Sequence, residues 1–371
     1  MNPAGNLKEP STRLVSIDAL RGFDMLLIAG GGAFIEALKG QTSWQWIDVI
    51  ASQLTHPKLF GFTFYDFIFP LFLFIAGISI PFSVYKSIAA GADKQVILKK
   101  AFRRMIILIL LGIVDKNTPI TFFEPHNIRV ASVLGRIGIA GFFATLLYIN
   151  TSSALKRIYW IAGILLFYYA IVYLPGLGGG DLSKEGNIVG RFDRSFLPGR
   201  LLEKIYDENG LLTQLPAMCL TMLGTLAGDI LRSGKTTGWQ LKNLALSGVA
   251  CIALAYIWNM HFPIFKKMWT SPFILLTGGM GFLIFTVFYL VIDVWHCKKW
   301  AFFFYVIGLN SLTIYLLYRF VDFEKSARLL FSGLYAPVDP KFHPALQALG
   351  GLLLVWLILY FLYRKKIFIK I

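Results

Sequence analysis

The apolar positions of this chain run in long stretches separated by short polar segments, a pattern that predicts helices crossing a bilayer. Two stretches, Ser271 to Val291 and Pro344 to Tyr363, carry no charge and have about the 20 residues a helix needs to span the hydrocarbon core. Eight others follow the same pattern: Ile17 to Leu38, Thr63 to Tyr85, Phe102 to Val114, Ile128 to Ile149, Ile158 to Leu174, Leu211 to Leu231, Leu241 to Met260 and Ala301 to Val321. The expected fold is therefore all-α, a polytopic transmembrane helix bundle of about ten spans forming a single domain over residues 1–371. A cleaved signal peptide is not expected, because Glu9 precedes the first span and Asp18, Arg21 and Asp24 interrupt it.

Charge gives these spans a direction. The basic segment Lys86 to Arg104 and the closing Arg364, Lys365, Lys366 and Lys370 would share one side, which the positive-inside rule makes cytoplasmic, with both termini in. The outside loops are then Lys39 to Phe62, Asp115 to Asn127, Pro175 to Gly210, His261 to Thr270 and Asp322 to His343. The third, residues 175–210, is long, Gly-rich and mixed in charge, and is expected to cover an outward-facing site. Its glycines Gly176, Gly178, Gly179 and Gly180 lack the strand and helix that a phosphate loop requires.

Composition agrees with a lipid environment: 56% of residues are hydrophobic and 15% charged. Those charges are too few to cover a soluble globule. The net charge of +16 would suggest nucleic acid in a soluble protein. Here the bases gather at span ends and read as membrane topology and as attraction for an anionic ligand. No nucleic-acid partner is expected, and assembly as a homo-oligomer stays open. The three cysteines, Cys219, Cys251 and Cys297, have no paired spacing, so neither a disulfide framework nor a metal site is expected.

Polar groups inside the spans are the candidates for chemistry, since each charge near the bilayer centre costs about 2.5–3.5 kcal/mol. Asp18, Arg21 and Asp24 share neighbouring parts of one helical surface, either paired at the cytoplasmic interface or facing a cavity to which Arg129 and Arg136 add charge. Gly30, Gly31 and Gly32 either end the first span or open it to a ligand. The stretch His56 to Pro70 is the most informative. It places a histidine, the side chain best suited to exchanging protons near neutral pH, just before a helix whose first turns carry Asp66. Asn310 and Ser311 form a polar band in the ninth span, explained equally by helix-to-helix hydrogen bonding or by catalysis.

Asp18-x-x-Arg21-Gly22, His56 with Gly61, Thr63, Asp66, Phe69 and Pro70, Phe74-Ile75-x-Gly77-x-Ser79-Ile80, Val133-Leu134-x-Arg136-x-Gly138, Asp193-Arg194, Tyr206-Asp207-x-x-Gly210, Gly308-x-Asn310-Ser311 and the closing Tyr363 to Phe368 carry a resemblance. The chain resembles the transmembrane acetyltransferase family typified by the lysosomal heparan-α-glucosaminide N-acetyltransferase. The resemblance is to a compact bacterial form, expected to be without that enzyme's lumenal N-terminal domain and first anchor helix. The resemblance implies an enzyme of the cell inner membrane that moves acetyl from cytoplasmic acetyl-CoA, with no metal, to the amine of a glucosamine-type sugar on the far side. It also implies that His56 is catalytic and that Asp193, Arg194 and Asp207 lie with the acceptor. On that chemistry Asp66 orients a neutral His56 acting as general base, and Asn310 and Ser311 are candidate oxyanion donors. Arg21, held by Asp18, and Arg136 are candidate phosphate ligands for the donor. Where the family enzyme has an Asn before the glycine run, this chain has Ile28 and Ala29. An O-acetyltransferase of a cell-envelope glycan and a sugar transporter stay open as alternatives.

Overall fold

The computed structural model describes residues 14–57, 61–117 and 124–369. Lys58, Leu59 and Phe60 of the junctional stretch and Lys370 of the closing basic run lie outside the described residues. The helices, in chain order, are α1 (Val15–Leu26), α2 (Gly32–Ala37), α3 (Gln45–Gln53), α4 (Phe64–Ala89), α5 (Lys94–Lys116), α6 (Val133–Asn150), α7 (Ala154–Tyr173) and α8 (Ile188–Phe196). They continue as α9 (Gln214–Arg232), α10 (Thr237–Asn259), α11 (Ser271–Phe288), α12 (Ala301–Leu309), α13 (Ser311–Phe320), α14 (Phe323–Tyr335) and α15 (His343–Arg364). Among the described residues the fold is all-helical, as the apolar pattern predicts, and no strand forms beyond an isolated bridge between Arg129 and Gly199.

Among these residues seven helices are long and apolar enough to cross a membrane, and the bent pair α12–α13 would make an eighth. This is a multi-pass membrane protein. Two of the expected ten spans are not among these eight. The first is broken: a π-helical turn over Leu27–Gly31 separates α1 from α2, and Gly30 at φ 98° holds a backbone conformation that side chains disfavour. The third forms within α5, whose basic residues Lys94, Lys99, Lys100, Arg103 and Arg104 precede its apolar part.

In lipid there is no hydrophobic drive between helices, so they associate by close packing and polar links. Gly22 of α1 and Gly308 of α12 illustrate this. A Cβ at Gly22 would fall 1.8 Å from the Phe304 carbonyl oxygen, and one at Gly308 would fall 1.8 Å from that of Asp18. The two backbones touch, and only glycine fits. α4 is the central column, packed against α1, α6, α9 and α11 around Phe67, Phe74 and Phe282.

Segments that charge patterning assigned to one side meet one another. At one end Asp293, just beyond α11, accepts from Val15 N and Ser16 N at 3.3 and 3.1 Å, and Arg157 at the start of α7 pairs with Asp229 at the end of α9. At the other end Arg129 pairs with Asp207, and Lys266 with Asp66.

Candidate functional site

The start of α4 builds the site. Thr63 is the N-cap in extended conformation, and Asp66 turns back from the first helical turn so that its Oδ2 accepts the Thr63 backbone N–H at 3.2 Å. This is one half of a capping box. Capping therefore fixes the carboxylate and leaves Oδ1 directed at His56, whose Nδ1 lies 2.7 Å away. With Asp66 accepting, Nδ1 carries the proton and Nε2 presents its lone pair. The Tyr65 ring stands edge-on to the imidazole at 4.6 Å between centroids. The Asp66 side chain is 1% exposed and that of His56 52%, so the pair has one buried member and one open member.

A third residue was missed by sequence reasoning. Lys266 comes from the turn before α11, and its Nζ lies 3.1 Å from Asp66 Oδ1 and 3.1 and 3.3 Å from the two ring nitrogens of His56. No motif marks it, because the contact closes across 210 residues of chain.

The loop 175–210 and the start of α9 adjoin this cluster. Lys267 reaches Glu203 at 4.0 Å. Asp207, fully buried, accepts both Nε and Nη2 of Arg129 at 2.7 and 2.8 Å, and also the backbone N–H groups of Leu202 and Asn209. Asp193 accepts from the backbones of Asp207 and Leu211. Burial pushes its carboxyl up to about 6, against the lowering effect of those two hydrogen bonds. Arg194 donates to the Ile205 carbonyl. These three acceptor-side candidates thus shape the loop through its own backbone.

Arg136 does not join Arg21. Its guanidinium is fully buried, donates to Glu208 O and Thr213 Oγ1, and stacks on Trp269 at 4.2 Å. Arg136 and Arg129 are thus engaged with the loop and the start of α9, apart from the Asp18–Arg21 pair whose cavity they were expected to supply with charge. Their spacing puts both on one side of the chain's path into α6, but that side meets the loop.

Asn310 is likewise committed. At the 74° break between α12 and α13 its Nδ2 donates to Ile367 O at 3.1 Å and its Oδ1 accepts from Ile369 N at 3.0 Å, so the amide clamps the C-terminal segment. That occupies the amide that was expected to serve an oxyanion. Ser311 lines a narrow cavity of about 30 Å³ with Met25, Ile28, Phe69, Phe72 and Tyr315. Further along α4, Arg21 Nη2 donates to Ser79 Oγ at 3.3 Å while Nη1 holds Asp18 at 3.2 Å. Asp66 and Ser79 stand near opposite ends of α4, separated by several helical turns. Asp24, between the two clusters on α1, is fully buried, with no hydrogen-bond partner on either carboxylate oxygen among the described residues. The described residues include no cluster of metal ligands.

Residues 13–118 match a family model described as a domain of unknown function, DUF5009. Over 97% of its length the chain is 26% identical to heparan-alpha-glucosaminide N-acetyltransferase of Homo sapiens, and over 98% to that of Mus musculus, again at 26%. It spans 60% and 61% of the lengths of those relatives. Along nearly all of its sequence, then, this membrane protein is similar to heparan-alpha-glucosaminide N-acetyltransferase, as the motifs around His56, Arg136 and Asn310 lead one to expect.

Proposed function

We propose that the protein transfers acetyl from acetyl-CoA, entering from the cytoplasm, to the amine of a glucosamine-type sugar on the outer side of the inner membrane, with both termini inside. The observation that carries the reading is the His56–Asp66 pair: an open imidazole with Nδ1 held by a buried carboxylate, at the outer end of α4. A sugar amine attacks the thioester carbonyl only after or while losing a proton, and Nε2, the ring nitrogen without a hydrogen when Asp66 holds Nδ1–H, is the atom to receive it. The new C–N bond forms as the C–S bond breaks, and the leaving thiolate takes up a proton to leave as CoA thiol.

One further feature favours an inside donor. Arg21, with Asp18 and Ser79, supplies a cation at the end of the bundle away from His56, suited to a phosphate. Asp193, Arg194 and Asp207 then serve the acceptor by holding the loop at the outer mouth rather than by touching the sugar.

The test is release of CoA thiol from acetyl-CoA by the purified protein, dependent on added glucosamine and absent with the hydroxyl-only sugar glucose. His56→Ala should fold normally and lose turnover by about 100-fold or more, the usual cost of removing a general base. Release driven equally by glucose would favour O-acetyl transfer, and near-normal turnover in His56→Ala would remove the base assignment.

A further inference from the structure

We propose that Lys266 is a positioning residue of this reaction, one that holds His56 in the neutral ring form whose Nε2 lone pair takes the proton. The inference rests on the acetyl-transfer reading of the site and deepens it. Three observations carry it.

The first is placement. The Lys266 Nζ reaches both ring nitrogens of His56 at nearly equal distance, 3.1 and 3.3 Å. An atom in the ring plane at those distances would collide with the carbon between the two nitrogens, so the ammonium stands over the ring face. There it takes neither in-plane lone pair, yet its charge opposes a second positive charge on the imidazole. The second is the shared carboxylate. Asp66 Oδ1 is 2.7 Å from Nδ1 and 3.1 Å from Nζ, so the anion that would otherwise favour the imidazolium is balanced by the lysine while it still fixes the Nδ1–H tautomer. The Asp66 side chain is 1% exposed and that of Lys266 18%. That burial keeps the pairing from being screened away as a surface ion pair would be.

The third is the support under Lys266. Its turn ends at Trp269, a non-glycine residue at φ 51° that is 1% exposed. Trp269 is wedged edge-on against Phe69 and Phe273 with Arg136 over its face. Thr270 Oγ1 accepts from Phe265 N and donates to Pro263 O, and the Tyr168 hydroxyl donates to Met268 O. A left-handed tryptophan is strained and persists only where its surroundings fix it. The lysine is therefore delivered by a rigid turn. Among the described residues, the charged and titratable groups facing His56 are Asp66 and Tyr65 from α4 and Lys266 from this turn, with Glu36 of α2 within electrostatic reach of Tyr65.

The experiment compares wild type, His56→Ala, Lys266→Met and Lys266→Arg, each purified as a monodisperse full chain, for glucosamine-dependent CoA release between about pH 5 and 9. Lys266→Met should move the acid limb of kcat/KM up by about one pH unit, with turnover recovering toward alkaline pH, and Lys266→Arg should restore the wild-type limb. A separate readout needs no turnover: diethyl pyrocarbonate acylates only the neutral ring. The pH midpoint of the labelling that disappears in His56→Ala should rise in Lys266→Met by the same amount. If His56→Ala is inactive while Lys266→Met keeps the wild-type acid limb and labelling midpoint, the role of Lys266 is overturned and the reading of the site stands. If His56→Ala retains turnover, both fall together.

Discussion

Removing the carboxylate of Asp207 tests whether buried charge holds the loop 175–210 to the bundle. Arg129 is 6% exposed and Asp207 fully buried, and the two are joined through two bonds of 2.7 and 2.8 Å. Asp207→Asn leaves one carbonyl oxygen where two oxygens had served the guanidinium and two backbone N–H groups. The guanidinium keeps its charge in a site closed to water. Breaking one side of such a pair costs about 3–5 kcal/mol, most of it from the charge left behind. For a chain of this size that corresponds to a fall on the order of 10 °C in the midpoint of heat-induced loss of monodisperse protein in detergent. Because such unfolding is irreversible, the midpoint ranks variants and does not give an equilibrium constant. The double variant Arg129→Gln/Asp207→Asn removes the stranded charge and should melt above the sum of the two single effects, with a coupling of about 1–3 kcal/mol. A midpoint for Asp207→Asn within about 2 °C of wild type would refute the reasoning.

Two other expectations follow from neighbouring residues. Asp193 ionises near 6 in the fold against 3.8 ordinarily. The folded protein therefore binds more protons than the unfolded chain between those values, and the stability this group contributes is lost as pH rises through that window, by about 2–3 kcal/mol. The melting midpoint should fall from about pH 4.5 to 7 in wild type by more than it does in Asp193→Asn; equal slopes, or a steeper one in the variant, would exclude it. Asn310→Ala should lower the midpoint through loss of the clamp on Ile367 and Ile369 while costing less than tenfold in turnover. A loss of about 100-fold in kcat with the elution profile intact would return Asn310 to the chemistry.

The helical fold was legible because spans are written locally, in runs of about 20 apolar residues that any bilayer imposes. The His56–Asp66 pair was legible for a similar reason: its members are close in sequence, and a helix start both caps itself with the acid and aims it. The Asp18–Arg21 pair follows from neighbouring positions on one helix surface. Lys266 was not legible, since nothing in the stretch from Phe265 to Thr270 announces a partner 210 positions away. The partners of Arg136 and Asn310 were not legible, for a shared cause. A polar residue in a span states that a partner exists but not which, and here the partners are a loop carbonyl and a terminal segment, neither of which has a sequence signal.

The loop 175–210 is fastened in two unlike ways. Its root, at Asp193 and Asp207, is held by groups closed off from solvent, where counter-ions do not reach. Its free edge is held through Glu203, which joins Lys184 at 3.1 Å and Lys267 at 4.0 Å among partly exposed side chains. Such surface pairs weaken as ionic strength rises, whereas the root does not. Raising the ionic strength therefore loosens the tie between this edge and Lys267, worth at most about 1 kcal/mol, and leaves the buried anchorage in place.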